Sequence, residues 1–179
     1  MRLPILFASS ALLAASVGCM QSVDYVDPVF EPFQGDEGAG SSEDIGANVR
    51  QARLSGQYGP QDTFQDADAM PSGYDDGATT NLMLETSSNG RMGMMIIDSW
   101  QGSLLTMPAG SYTSTSMSLN NAVNVTVCAT DFDAPAEDAV VDIQDTPDGR
   151  VITVEAQTGS DYGLDNSDNP ALASFTLVR

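Results

Sequence analysis

The chain has 179 residues, 6 basic and 25 acidic side chains, a formal net charge of −19 and no His, and every basic residue is Arg. Without His or Lys there is no Ser-His or Cys-His dyad, no His-containing zinc site, no Schiff base and no P-loop lysine, so carboxylate chemistry or none remains. A field of this sign repels nucleic acid and anionic lipid head groups, so no nucleic-acid partner is expected, and no motif calls for a cofactor.

In chain order, Met1-Arg2 precedes a weakly polar to apolar stretch from Leu3 to Val17 that ends at Gly18-Cys19. At about 15 residues the run is shorter than the roughly 20 an α-helix needs to cross a bilayer. It reads as a secretory signal peptide over residues 1–18. The pattern Leu12-Leu13-Ala14-Ala15-Ser16-Val17-Gly18-Cys19 resembles the lipobox of bacterial lipoprotein precursors, with Ser16 where that family favours Leu. The resemblance implies cleavage before Cys19, acylation of Cys19 and a lipid-bilayer anchor. Met20 follows Cys19 in place of the Asp that holds enteric lipoproteins at the inner membrane, which by the same resemblance favours the outer membrane. Ordinary cleavage after Ala14-Ala15-Ser16, giving a secreted or periplasmic soluble protein, is the alternative. With Cys19 acylated, Cys128 has no intrachain disulfide partner. No His or Lys exists to stabilise its thiolate, so it is expected to be a packed strand residue.

From residue 19 to 78 the composition is Asp, Glu, Gly, Pro, Gln and Ser with singly spaced aromatics, Tyr25, Phe30, Phe33, Tyr58, Phe64 and Tyr74. No period survives a whole window. A segment that cannot bury enough apolar surface to offset about 1 to 2 kcal/mol of backbone entropy per residue is expected to stay a disordered acidic tether. Only Ile45 to Leu54 suggests order, as a short helix or an edge strand.

Beyond Ala78 the pattern becomes apolar alternation broken by turns. Val123, Val125, Val127 and Ala129 alternate with Asn124, Thr126, Cys128 and Thr130, a half-buried strand by period. Thr79–Thr86 carries Leu82 and Leu84 on one face. Met92, Met94 and Ile96 alternate with Gly93, Met95 and Ile97, which predicts a central strand covered on both faces. Tyr112 to Leu119, with Met117 and Leu119 inward, and the runs at Val141 and Ile143, at Ile152, Val154 and Ala156, and at Phe175 and Leu177 complete seven predicted strands. Asn89-Gly90 predicts a type I′ hairpin, because both central positions need positive φ. Pro147-Asp148-Gly149, Asn120-Asn121 and Met107-Pro108-Ala109-Gly110 supply further turns. The expectation is all-β: an antiparallel β-sandwich or small barrel of about seven strands over residues 79–179, preceded by the tether.

Three acidic clusters could offer oxygens to a hard cation. They are Asp66, Asp68, Asp75 and Asp76; Asp131, Asp133, Glu137 and Asp138; and Asp161, Asp165 and Asp168 with Asn166 and Asn169. None has EF-hand spacing, and calcium is carried as a candidate at Asp131, Asp133 and Glu137 and at Asp161, Asp165 and Asp168. A hydrolase would need paired carboxylates, for which Glu85 and Glu155 are the strand-borne candidates beside Trp100 as a sugar platform. Met92, Met94 and Met95 invite a soft-metal reading, against which stands a core-filling role in a strand without His or Cys. The resulting expectation is a lipid-anchored cell-envelope protein acting as a non-catalytic binding or structural module for an unidentified protein or glycan partner. A calcium-stabilised adhesion or carbohydrate-binding domain is the alternative, and a carboxylate-based hydrolase comes third.

Overall fold

The computed structural model describes residues 43–115, 118 and 120–178. Period-2 burial organises these residues into eleven strands, and among them the only helical segments are 3-10 turns at Ile45–Asn48 and Ser160–Tyr162. The strands are β1 (Val49–Gly59), β2 (Asp62–Asp68), β3 (Met70–Asp75), β4 (Thr80–Ser88), β5 (Arg91–Ser99), β6 (Gly110–Thr115), β7 (Val123–Ala129), β8 (Phe132–Pro135), β9 (Asp138–Thr146), β10 (Gly149–Gln157) and β11 (Ala171–Leu177). One sheet has the order β2-β1-β11-β10-β9-β6 and the other β3-β4-β5-β7-β8, with every pairing antiparallel. Both sheets keep open edges, so the fold is a β-sandwich and not a closed barrel.

The inward rows meet as one core. Leu82, Leu84, Met95, Ile97, Val125 and Val127 from the five-stranded sheet pack with Leu54, Tyr58, Val141, Ile143, Ile152, Val154 and Phe175 from the six-stranded one. All seven predicted strands are present, and four more join them.

Three of the additional strands correct the tether expectation. Residues 49–75 form β1, β2 and β3, and β1 lies inside the six-stranded sheet between β2 and β11. Composition hid this because few inward residues do the burying. Leu54 and Tyr58 are fully buried, and the Phe64 ring meets Tyr58 edge-on at 5.8 Å. The Tyr58 hydroxyl donates to the Leu172 carbonyl, and burial pushes its phenol far up from the ordinary value. Gly56 sits at φ 91°, where a Cβ would fall 1.8 Å from the Pro170 carbonyl oxygen, so the close strand contact needs glycine. Ile45–Asn48 forms the 3-10 turn leading into β1, and Asp44 caps it by accepting from the Gly46 N–H. The remainder of the expected tether, residues 19–42, lies outside the described residues, as do Cys19, Met117 and Leu119.

A second correction concerns β5. Met95 and Ile97 face the core, whereas Met92, Met94 and Ile96 point to the outer face of the five-stranded sheet and are half-buried there. Two-sided coverage was inferred from apolarity on both faces, and only one face is core. Arg150 fixes the long β5–β6 connection. Its Nη1 donates to the Leu104 and Met107 carbonyls at 2.9 and 2.6 Å, while Nε and Nη2 clasp Asp145. No helix among the described residues is long and apolar enough to cross a membrane.

Candidate functional site

The outer face of the six-stranded sheet is assembled by register. Glu155 of β10 stands opposite Val140 of β9 and Leu172 of β11, and Leu172 stands opposite Ser55 of β1. One row along, Thr153 faces Asp142 and Ser174, Ser174 faces Arg53, and Arg53 faces Asp68 on β2. Neighbours in such a row have Cβ atoms about 4.5–5.5 Å apart, so these side chains form one continuous surface. All of these except Asp68, together with Asp66, line a groove of about 400 Å³.

The groove has an apolar band and a charged wall. Val140 and Leu172 remain 38% exposed in the middle of a sheet, on either side of Glu155. Arg53 is held at the margin by Asp68 at 3.1 Å and by the Asp66 carbonyl. Asp66 takes a left-handed φ of 46° where the β1–β2 register shifts, and its N–H donates to the Ser55 hydroxyl. The bulge bends the sheet margin beside the groove, as such bulges do near binding faces. With Arg53 engaged, Asp142, Glu155 and Asp66 leave the surface acidic. No aromatic ring lines it. Trp100, 46% exposed, stands after β5, away from these lining residues.

The carboxylates expected to cooperate are separated. Glu85 lies on the outer face of the five-stranded sheet and Glu155 on the outer face of the six-stranded one, with the core between them. Glu155 is open to water, whereas a general acid needs a desolvated carboxyl.

The calcium candidates are all exposed, in the β7–β8 turn, on β8 itself and in the connections after β8 and β10. Asp131, between β7 and β8, lies near Arg91, whose guanidinium is held above its ordinary value by its hydrogen bond to Asp62 and by the charges of Asp62 and Asp131. Asp133 stands opposite Cys128 on β8. The Glu137 carboxylate lies over Gly159, where a Cβ would be 2.0 Å from its Oε2, which brings the two candidate loops into contact. Asp161 belongs to the Ser160–Tyr162 turn, and Asp165 caps Ser167, whose hydroxyl and N–H hold its carboxyl below the usual range. Asp168 is exposed. Among the described residues no three His, Cys, Asp or Glu side chains form a set that could hold a metal ion.

In the first acidic cluster, Asp66 and Asp68 border the groove. Asp75 is buried and accepts from the Gly77 N–H and the Ser103 and Thr80 hydroxyls, tying β3 to the Ser103–Leu104 turn. Asp76 caps Ala78 and Thr79. Composition alone could not separate these structural carboxylates from those on the groove. No family model matches the chain, and neither a curated protein nor a solved structure does.

Proposed function

We propose that the protein is a non-catalytic binding module of the cell envelope, anchored through acylated Cys19, that holds a cationic, partly apolar ligand on the outer face of its six-stranded sheet. The observation that carries the reading is the pairing of exposed Val140 and Leu172 with Glu155 in a groove that also collects Asp142 and Asp66. Apolar residues left in the open centre of a sheet mark contact surfaces, and adjacent carboxylates outside any ion pair among the described residues select positive charge. An extended peptide with alternating basic and apolar side chains matches both features, since its residues repeat at the strand period. A glycan is less favoured, because stacking on an aromatic platform is missing from the groove.

Titration of the full chain with an alternating Lys-Leu peptide is expected to give saturable binding that an alternating Glu-Leu peptide does not. Glu155→Gln or Leu172→Asn should weaken it at least tenfold. Equal response to both peptides, or unchanged binding in both variants, rejects the groove. Anchoring is tested separately: labelled fatty acid should be incorporated, and detergent-phase partitioning should be lost in Cys19→Ala. Partitioning that persists in the variant rejects the lipid anchor.

A further inference from the structure

The outer face of the five-stranded sheet carries two exposed aromatic rings with a hydrogen-bonded polar pair alongside. Along one register row, Tyr74 of β3 stands opposite Asn81 of β4, and Asn81 opposite Asp98 of β5. Their strand neighbours Asp75, Thr80, Leu82, Ile97 and Ser99 are buried, so the row itself faces out, and Tyr74 is 49% exposed. Trp100 follows two residues after Asp98. Its N–H donates to the Ala122 carbonyl, one step beyond the Ser99–Val123 pair, so the β5–β7 register continues and the indole emerges on the same face as Asp98. At about 4.8 Å between strands and about 3.4 Å per residue along them, the Cα atoms of Tyr74 and Trp100 are about 12 Å apart, with Asn81 and Asp98 beside the path between them.

We propose that this face binds an extended, uncharged β-linked glycan, with pyranose rings stacked on Tyr74 and Trp100 and sugar hydroxyls held by Asn81 and Asp98. A pyranose ring presents C–H groups on its faces and hydroxyls at its edge, so a sugar chain is recognised by apolar plates with polar groups next to them. Asn81 Nδ2 donates to Asp98 Oδ1 at 2.6 Å, which leaves the second N–H of Asn81 as a donor and Asn81 Oδ1 and Asp98 Oδ2 as acceptors. A donor and an acceptor side by side match neighbouring hydroxyls. Both aromatic residues sit on fixed backbone, which limits the ordering entropy lost on binding. Trp100 is held by its own ladder bond and by the next residue, Gln101, whose Nε2 donates to the Asn120 carbonyl at 3.1 Å. Tyr74 precedes Asp75, whose backbone exchanges hydrogen bonds of 2.8 and 2.9 Å with Glu43 and whose carboxylate accepts from the Thr80 and Ser103 hydroxyls. Charge sets the class of sugar. A chain of net charge −19, with Asp98 and Glu85 on this face, repels uronic, sialic and phosphorylated glycans. The site lies on the opposite sheet from the acidic groove and takes a ligand of a different kind.

Trp100 is the sole Trp of the chain, so its fluorescence reads this site directly. The full chain is titrated with cellohexaose, chitohexaose and mannohexaose as neutral β-linked probes, and with hexamannuronate as the acidic counterpart, by fluorescence and by calorimetry. At least one neutral probe should shift the Trp100 emission saturably, and hexamannuronate should not. By calorimetry, Tyr74→Ala and Trp100→Ala should each weaken binding of that probe at least tenfold. Tyr162→Ala, which removes an exposed ring in the turn after β10, should leave affinity within about twofold, as should Glu155→Gln in the groove. Thermal melts establish that each variant folds, and Tyr74→Ala on the edge strand decides the case should Trp100→Ala not fold. Absence of saturable binding by all three neutral probes overturns the proposal. An equal response to hexamannuronate overturns it as well, as does unchanged affinity in either folded aromatic variant or a tenfold loss in Tyr162→Ala or Glu155→Gln.

Discussion

Asp98 is a carboxyl whose surroundings set a pH dependence. On the outer face of the five-stranded sheet it accepts a 2.6 Å hydrogen bond from Asn81 Nδ2, yet burial dominates and holds its carboxyl above the usual carboxylate range. A raised folded-state value means that folded Asp98 takes up its proton at higher pH than the unfolded chain does. The associated stabilisation is fully present below the unfolded value, about 3.9, and is lost as pH rises through the folded value. Asp98→Asn removes that dependence while retaining an acceptor for Asn81. The melting temperature of the variant minus that of the parent should therefore be more positive at pH 7 than at pH 3.5, at matched ionic strength. A difference independent of pH would show that burial does not strain this carboxylate. The exposed capping residues Asp76 and Asp165 shift the opposite way, held down by hydrogen bonds from Thr79 and Ala78 and from Ser167.

Among the elements, the β4–β5 hairpin offers the cleanest test of what a short motif specifies. Ser88 pairs with Arg91, and Asn89 and Gly90 between them hold φ of 54° and 75°, as the Asn-Gly pair predicts. A Cβ on Gly90 would meet nothing within 4 Å, so any cost there is conformational. Gly90→Val should lose about 1 kcal/mol or more in urea unfolding, and a change below about 0.5 kcal/mol would mean that the turn is not strained by a side chain. The β9–β10 turn resembles it less than expected, since the positive φ falls on Gly149, which pairs with Thr146, and not on Pro147 or Asp148.

Such turns and the valine-type alternations were legible because their signal is local. β1 to β3 were not: β1 has a left-handed Gln51 and Gly56, β2 a left-handed Asp66, and β3 contains Pro71 and Gly73, each of which breaks a period-2 window. β8 hid in an acidic loop, with Ala134 as its one buried residue and Ala136 buried just after it. The groove followed the same rule. Glu155 stood out on its strand, but its neighbours Val140, Asp142 and Leu172 come from other strands, and only the register joins them.

At the scale of the whole molecule, the decisive question is whether residues 43–78 are part of the cooperative unit. β1 supplies the only partner of β11 on that side and carries Leu54 and Tyr58 into the core, while Ile45 and Phe64 are buried with them. Fully burying a side chain of this kind contributes about 1.5–3 kcal/mol. Four together therefore match much of the ~5–15 kcal/mol that separates a folded domain from its unfolded state. Removing them would also leave β11 an unpaired edge and take the Tyr58 hydroxyl from the Leu172 carbonyl. A chain beginning at Thr79 should accordingly show no cooperative thermal transition and should aggregate. In limited proteolysis of the full chain, no fragment starting near Thr79 should persist alone, because a nick in the exposed Asp76–Ala78 turn leaves β3 paired with β4. A soluble fragment beginning there, melting within a few degrees of the parent, would return β1, β2 and β3 to the status of a tether and leave the six-stranded sheet with four necessary strands.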